Sequence, residues 1–194
     1  MKTRTVMTSV LAAGIAFTAF AADKVIKVIP EKVRKARIDV SDPTNKNVLK
    51  PGKSMRVSGW LKDRKNYNLF SSSRPLTTDK WVDYVVDFTP QQDGEVVVKL
   101  CGLWWRAKGN KSSTPIYVLY DDVEITGAEL KNPGFEELDA KGKPAHWWTR
   151  GKIVKDARTG KNAIKVSIGT NASQRIKVKK GQKVTIKAKV KYPK

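Results

Sequence analysis

Apolar and polar residues alternate one by one through most of this chain, in short runs separated by turn residues. A two-residue period places successive side chains on opposite faces of a β-strand. Strands with one apolar and one polar face are typical of antiparallel sheets that pack face to face. The pattern therefore predicts an all-β chain folded as an antiparallel β-sandwich. In residues 82–88 the predicted core set is Val82, Tyr84, Val86 and Phe88.

Residues 1–21 have a different character. Lys2 and Arg4 precede an apolar run from Val10 to Phe20, which ends in Ala-Phe-Ala. This is the pattern of a secretory signal peptide, and the run falls short of the roughly 20 residues that a membrane-spanning helix needs. We expect cleavage before Ala22 and a mature protein that is secreted, periplasmic or on the cell surface. No later segment is apolar enough to span a bilayer.

The charge is strongly positive, with 39 lysines and arginines against 18 aspartates and glutamates. An excess of this size favours anionic partners, such as acidic polysaccharides, the glycans of glycoproteins or a negatively charged envelope surface. The alternative is that the charge serves solubility alone. Cys101 is the only cysteine, so no intrachain disulfide exists, and we expect its side chain to be buried as a small hydrophobe.

Two parts of the chain share a pattern. Residues 38–41 (Ile-Asp-Val-Ser) match residues 164–167 (Ile-Lys-Val-Ser), and the similarity continues so that Gly52 falls on Gly181. The sequence therefore divides into residues 22–128, the main part of a sandwich, and residues 129–194, a second partial unit that packs on the first or completes it. Because residues 131–194 alone would bury too little surface to stand by themselves, we expect the two parts to pack together.

Five segments carry a resemblance to a known family. They are Asn132–Glu136, Pro144–Trp147, 50–62, Trp81–Pro90 and Asp121–Val123. Together they resemble the carbohydrate-binding modules of the galactose-binding-like jelly-roll group, families four, nine and twenty-two. The resemblance implies a jelly roll and a sugar ligand. The order differs from the family's, because the closing segment precedes the opening one, and this indicates a circular permutation or a partial duplication.

The tryptophan pair Trp104–Trp105 raises the question of a binding site. Alternation from Val96 onward places Trp104 on the core side and Trp105 on the opposite face. An aromatic ring on a solvated face, among hydrogen-bonding side chains, suits a sugar. The same reasoning gives the predicted ligand-binding residues Trp60, Trp105, Arg56, Lys62, Lys99 and Tyr120.

The alternative is that the residues after 129 cover Trp60 and Trp105. The resemblance places Trp81, Trp147 and Trp148 at positions that are mostly packing residues in the family. Lysines recur at alternate positions in 177–179 and 187–191, which is typical of a solvated strand face and would, as a functional feature, form a groove for an anionic chain.

Residues for catalysis are few. The chain has one histidine, His146, and no cluster of His and Cys with metal-ligand spacing. Two acidic residues follow one another at Asp121 and again at Glu136. The resemblance implies that Asp121 and Glu136 bind a structural Ca²⁺, an ion that prefers oxygen ligands. The alternative for Asp121 is a hydrogen bond to a backbone amide or a pairing with a lysine.

These observations lead to one expected function and one alternative. We expect an exported, non-catalytic protein that binds an anionic glycan by aromatic stacking and by contacts from Arg and Lys. The alternative is a structural protein of the cell envelope or surface, whose jelly roll is a scaffold without a specific ligand. A specific nucleic-acid function is disfavoured, because the chain is expected to be exported and holds no nucleic-acid motif.

Overall fold

The computed structural model describes residues 29–43, 46, 48–49, 69–76, 80–109 and 111–193. Within them the chain is made of β-strands and turns, with a single 3-10 turn at Glu31–Val33 and no α-helix. The predicted all-β class, with antiparallel sheets packed on each other, is confirmed. In the described residues no helix is long and apolar enough to cross a membrane. The predicted signal peptide lies outside them.

The described residues form strands of two to nine residues. They are β1 (Lys35–Ser41), β2 (Leu69–Pro75), β3 (Val82–Phe88), β4 (Gly94–Cys101), β5 (Trp104–Trp105), β6 (Thr114–Pro115), β7 (Val118–Thr126), β8 (Trp148–Thr149), β9 (Lys152–Val154), β10 (Ala163–Val166), β11 (Ala172–Val178) and β12 (Val184–Lys191).

The described strands make two five-stranded sheets and a short ribbon. The first sheet has the order β2-β1-β4-β11-β8, the second has β3-β12-β7-β10-β9, and β5 pairs with β6. All neighbours are antiparallel. Strand β11 lies between β4 and β8, and β12 lies between β3 and β7. The chain after residue 129 therefore supplies interior strands to both sheets, and its apolar residues belong to the same core cluster as those before it.

Where strands are regular, the alternation of apolar and polar residues predicts the buried residues correctly. In β3, Tyr84, Val86 and Phe88 are buried while Asp83 and Val85 are exposed. Strand β12 behaves in the same way, with its four apolar residues buried. The predicted core faces of these strands are therefore confirmed, and Cys101 is buried as expected.

Alternation fails in β7 because the strand carries a bulge. Asp121 lies opposite Lys189 and Glu124 opposite Lys187, so two residues of β7 share one position on β12. Asp122, inside the bulge, has a φ of +46°. An extra residue shifts every side chain beyond it to the other face. Tyr120 therefore points into the core, and its predicted position on a solvated face is wrong.

A second break separates β4 from the tryptophan pair. Gly102 ends the regular strand, and a Cβ atom there would overlap the carbonyl oxygen of Ile116. The side-chain alternation does not continue past this close approach. Trp104 is 52% exposed, while Trp105 is partly buried against the core. The predicted assignment of the two rings is therefore wrong, because the structure has them the other way round.

Candidate functional site

The predicted ligand-binding residues do not form one site. Trp60, Arg56 and Lys62 lie outside the described residues. Lys99 lies on the outer face of the first sheet, in β4. Trp105 belongs to the β5–β6 ribbon and packs partly against the core.

Tyr120 is a structural residue, not a ligand contact. It is fully buried. Its hydroxyl accepts a hydrogen bond from the backbone N–H of Arg37 at 2.9 Å, and the carbonyl oxygens of Arg37 and Cys101 also lie 2.9 Å from it. Burial raises the pKa of Tyr120 well above its ordinary value. The side chain thus links the second sheet to the first through hydrogen bonds, and no surface of it is left for a sugar.

The most exposed large hydrophobic side chain of the described residues is Trp148, at 64%. Its neighbour Trp147 is buried, packs on Phe135 with ring centroids 5.2 Å apart, and donates its indole N–H to the Asn132 carbonyl at 3.0 Å. The packing role that the resemblance implies therefore suits Trp147 and is wrong for Trp148. One indole anchors the loop, and that anchor leaves the next one in solvent at the start of β8.

Trp148 begins a row of side chains across the first sheet. It pairs with Ser173 of β11, Ser173 pairs with Lys99 of β4, and Lys99 pairs with Asp39 of β1. Residues in register on neighbouring strands point to the same face. Because strands lie about 4.8 Å apart, the backbones of Trp148 and Lys99 are separated by roughly 10 Å.

An open cleft of about 640 Å³ lies beside this row. Its lining combines one aromatic ring with basic and hydrogen-bonding side chains. It consists of Val97, Lys131, His146, Trp148, Ser173, Gln174 and Arg175. We call the outward side chains of Trp148, Ser173, Lys99, Val97 and Arg175 the Trp148 face.

The loop that forms one wall of the cleft is held firmly. Asn132 has a φ of +52°, and its amide nitrogen donates to the carbonyl oxygens of Glu137 at 2.8 Å and Ala145 at 3.0 Å. His146 also has a positive φ, of +66°. Such conformations persist where surrounding contacts impose them, and they are frequent at ligand sites. The wall is thus set by its own hydrogen bonds.

Gln174 holds the backbone of Lys131, a basic residue that lines the cleft. Its Oε1 accepts from the Lys131 N–H at 2.8 Å, and its Nε2 donates to the Lys131 carbonyl at 3.0 Å. Both ends of the amide are therefore engaged in positioning Lys131. Ser173 is mostly buried, and its hydroxyl donates to the Trp148 carbonyl at 3.4 Å, which leaves its oxygen as an acceptor. That oxygen, His146 and the basic side chains are the groups that can meet a ligand.

Positive charge on the Trp148 face is weakly compensated. Arg175 lies 3.7 Å from Glu95, and both side chains are exposed. Lys99 has no ion-pair partner among the residues that the structure describes. At the far end of the row, Arg37 donates to Asp39 at 2.7 Å in a buried pair. Burial alone would lower the pKa of Arg37, but the bond to Asp39 raises it above its ordinary value.

Asp121 meets backbone amides. It is fully buried; its Oδ1 accepts from the Asp122 N–H at 2.8 Å, and its Oδ2 accepts from the N–H groups of Arg158 at 2.7 Å and Thr159 at 3.2 Å. Burial raises the pKa of Asp121 above its ordinary value, and these amides partly offset that effect. The alternative of a backbone hydrogen bond is therefore the one observed.

Glu136 acts on the same loop. Its Oε1 accepts from the N–H groups of Lys161 at 2.8 Å and Asn162 at 3.0 Å. Amide donors, not oxygen ligands, surround the two carboxylates, and the described residues contain no group of three or more His, Cys, Asp or Glu that could hold a metal ion. Asp121 and Glu136 do not fit a calcium site; they hold the 158–162 loop.

No family model, curated protein or solved structure matches the chain. The resemblance to carbohydrate-binding modules therefore stays a prediction from the sequence motifs. The signal that sequence reasoning missed is the second tryptophan pair, Trp147–Trp148. Where such a pair enters a strand, the two side chains can point to opposite sides, and here β8 begins at Trp148, the exposed indole.

Proposed function

We propose that this protein is a non-catalytic carbohydrate-binding protein that holds an anionic glycan on the Trp148 face. The observation that carries the proposal is the exposed indole of Trp148 beside Ser173 and Lys99 in one row. The C–H groups of a sugar ring pack on an aromatic face, and its hydroxyls bond to polar neighbours. Exposing so large an apolar ring is unfavourable unless something covers it.

The charge of the face supports an acidic ligand. Lys99, Lys131 and Arg175 surround the row, and the nearest acidic side chain to Arg175, Glu95, is 3.7 Å away and exposed. A basic cleft with apolar walls raises the local concentration of anions. We therefore expect polymers with carboxylate or sulfate groups to bind more tightly than neutral ones of the same length.

The chain offers a matched control for this test. Trp104 is also exposed, at 52%, but it lies in the β5–β6 ribbon and does not line the cleft. We compare Trp148→Ala with Trp104→Ala by retardation in native gels that contain a neutral glucan, polygalacturonate or a sulfated polysaccharide. Melting temperatures check that both variants are folded.

We expect Trp148→Ala to bind the acidic polymers at least tenfold more weakly, a change of about 1.4 kcal/mol, and Trp104→Ala to bind like the wild type. Equal retardation of Trp148→Ala and wild type would remove the proposed function. Stronger retardation of the wild type by the neutral glucan than by the acidic polymers would contradict the preference for anionic glycans.

One observation favours the structural alternative. Trp105, predicted as a platform, packs partly against the core, which is expected of a scaffold without a sugar site at that position. If the protein is a structural envelope protein, Trp148→Ala and Trp104→Ala should be retarded equally in every gel. The same pair of variants therefore separates the two functions.

A further inference from the structure

A second cleft, of about 390 Å³, lies at the outer side of the second sheet. It forms where the segment before β1, the residue before β7 and the residues after β12 meet. Two tyrosine rings line it, Tyr117 and Tyr192, together with two cations, Arg34 and Lys165. Because Lys165 projects outward from the second sheet and Trp148 from the first, this cleft is separate from the Trp148 face.

Each cation in the cleft lies over a tyrosine ring. The Arg34 guanidinium carbon is 4.5 Å from the ring centroid of Tyr192, and the Lys165 ammonium is 5.4 Å from that of Tyr117. Such contacts orient a cation without neutralising its charge. Arg34 is also held by Ile29, whose carbonyl accepts from Nε at 3.2 Å and from Nη2 at 3.1 Å. An arginine has five N–H donors, and within the described residues two of those on Arg34 are used, both by Ile29.

The charge at this cleft is unbalanced. No acidic side chain is among its lining residues. Lys165 lies directly opposite Lys152 of β9, and like charges in register destabilise a sheet. Neither lysine has an ion-pair partner in the described part of the chain, whereas Lys191, two strands away from Lys165, pairs with Asp156 at 2.6 Å. An anion bound between Arg34 and Lys165 would relieve this repulsion.

We propose that the cleft between Tyr117 and Tyr192 is a second ligand site, which takes an oxyanion group, a carboxylate or a sulfate, carried by a sugar. Lys165 and Arg34 bind the oxyanion, and the tyrosine rings enclose the apolar side of the sugar. The site stands on its own residues and does not require the Trp148 face to bind.

The test uses Trp148→Ala as the background, so that binding at the first face is reduced. Titration calorimetry measures binding of a galacturonate oligosaccharide, a sulfated oligosaccharide and a neutral one of equal length. Lys165→Met is then added, which keeps the aliphatic chain and removes the charge. Lys187→Met is the matched control, because Lys187 is exposed on the same sheet but does not line the cleft.

We expect the background variant to bind at least one of the two acidic oligosaccharides and not the neutral one. Lys165→Met weakens that binding at least tenfold, and Lys187→Met leaves it within twofold. Binding of galacturonate alone assigns the site to carboxylates, and binding of the sulfated sugar alone assigns it to sulfates. Equal affinity in Lys165→Met and Lys187→Met overturns the proposal, and so does equal binding of the neutral sugar. Because Trp148 is absent throughout, failure here leaves the first proposal untouched.

Discussion

The outer faces of the two sheets carry the same kind of charge in different arrangements. Along β3 and β12 of the second sheet, which we call the paired face, Lys189 lies 2.6 Å from Asp83 and Lys183 lies 3.0 Å from Asp87. On the Trp148 face, Lys99 has no such partner among the described residues, and Arg175 reaches Glu95 only at 3.7 Å. A net charge counted from composition does not distinguish these cases. The ion pairs that form decide where positive charge is available to a ligand: Lys99 lies opposite Asp39, but that carboxylate is bonded to Arg37.

Burial separates the two faces as well. The Arg37–Asp39 pair at the end of the Trp148 row is almost completely buried, whereas Asp83 on the paired face is largely exposed. Ion pairs in these two settings differ in energy, because a buried charge that loses its partner cannot be solvated by water. The comparison can be tested on each face.

The largest effect is expected from breaking the buried pair. Arg37→Met removes the 2.7 Å ion-pair partner of the buried Asp39 carboxylate, and we expect the free energy of unfolding to fall by about 3 kcal/mol. Urea denaturation followed by fluorescence measures it. The double variant Arg37→Met, Asp39→Asn should regain part of the loss. A loss in Arg37→Met no larger than in Lys189→Met would contradict the contrast between the faces.

The next effect concerns binding. Lys99→Met should weaken the retardation by polygalacturonate by roughly five- to tenfold, near 1 kcal/mol, and should reduce its salt dependence, because exposed charges are screened by salt. Lys189→Met is the control, since Asp83 already neutralises that lysine. The comparison would fail if both variants bound equally, because paired and unpaired lysines would then contribute alike.

A smaller effect is expected from the exposed pair. Asp83→Asn removes the 2.6 Å contact with Lys189, and we expect about 0.5 kcal/mol of stability to be lost, since solvent screens such pairs. Thermal unfolding of Asp83→Asn and Lys189→Met should give similar losses. A loss above 2 kcal/mol, far outside the range of about 0–1 kcal/mol for surface pairs, would show that the paired face is more than an exposed set of ion pairs.

The smallest effect is a pH dependence. The hydrogen bond from Lys189 lowers the pKa of Asp83 below its ordinary value of 3.8, and hydrogen bonds from Thr185 and then Lys183 lower that of Asp87. A carboxylate with a lowered pKa in the folded state stabilises above its unfolded pKa, and the contribution disappears as the pH falls through the folded pKa. Stability should therefore decrease below about pH 4, less steeply in Asp83→Asn. If stability fell with pH equally steeply in Asp83→Asn and in the wild type, the lowered pKa of Asp83 would be contradicted.

Much of the fold could be predicted because period-two alternation reports directly on burial in a regular strand. In β3 it gives the correct face for Tyr84, Val86 and Phe88. It fails at Asp121–Asp122 and at Gly102, where one residue changes the register. Both places carry a signal, an acidic pair within an apolar strand and a glycine within another, and glycine in a strand often marks a bulge or a close approach of backbones.

The site could be predicted only in part. Lys99 lies on the Trp148 face because β4 is regular as far as Cys101. Trp148 was missed because the resemblance places it, with Trp147, among packing residues, and no periodicity indicates the positive φ of His146 just before them. The position of Ser173 next to Trp148 depends on the pairing of β8 with β11, a contact between strands that are not consecutive along the sequence.

The place of β12 in the second sheet has a consequence for how the chain folds. Val190 pairs with Val82, and β12 separates β3 from β7. Until residues 184–191 have been synthesised, β3 has no neighbour among the described strands of this sheet, and β7 has only β10. Contacts between such distant parts of a sequence form slowly, so the second sheet is completed only after residues 184–191 take their place in it.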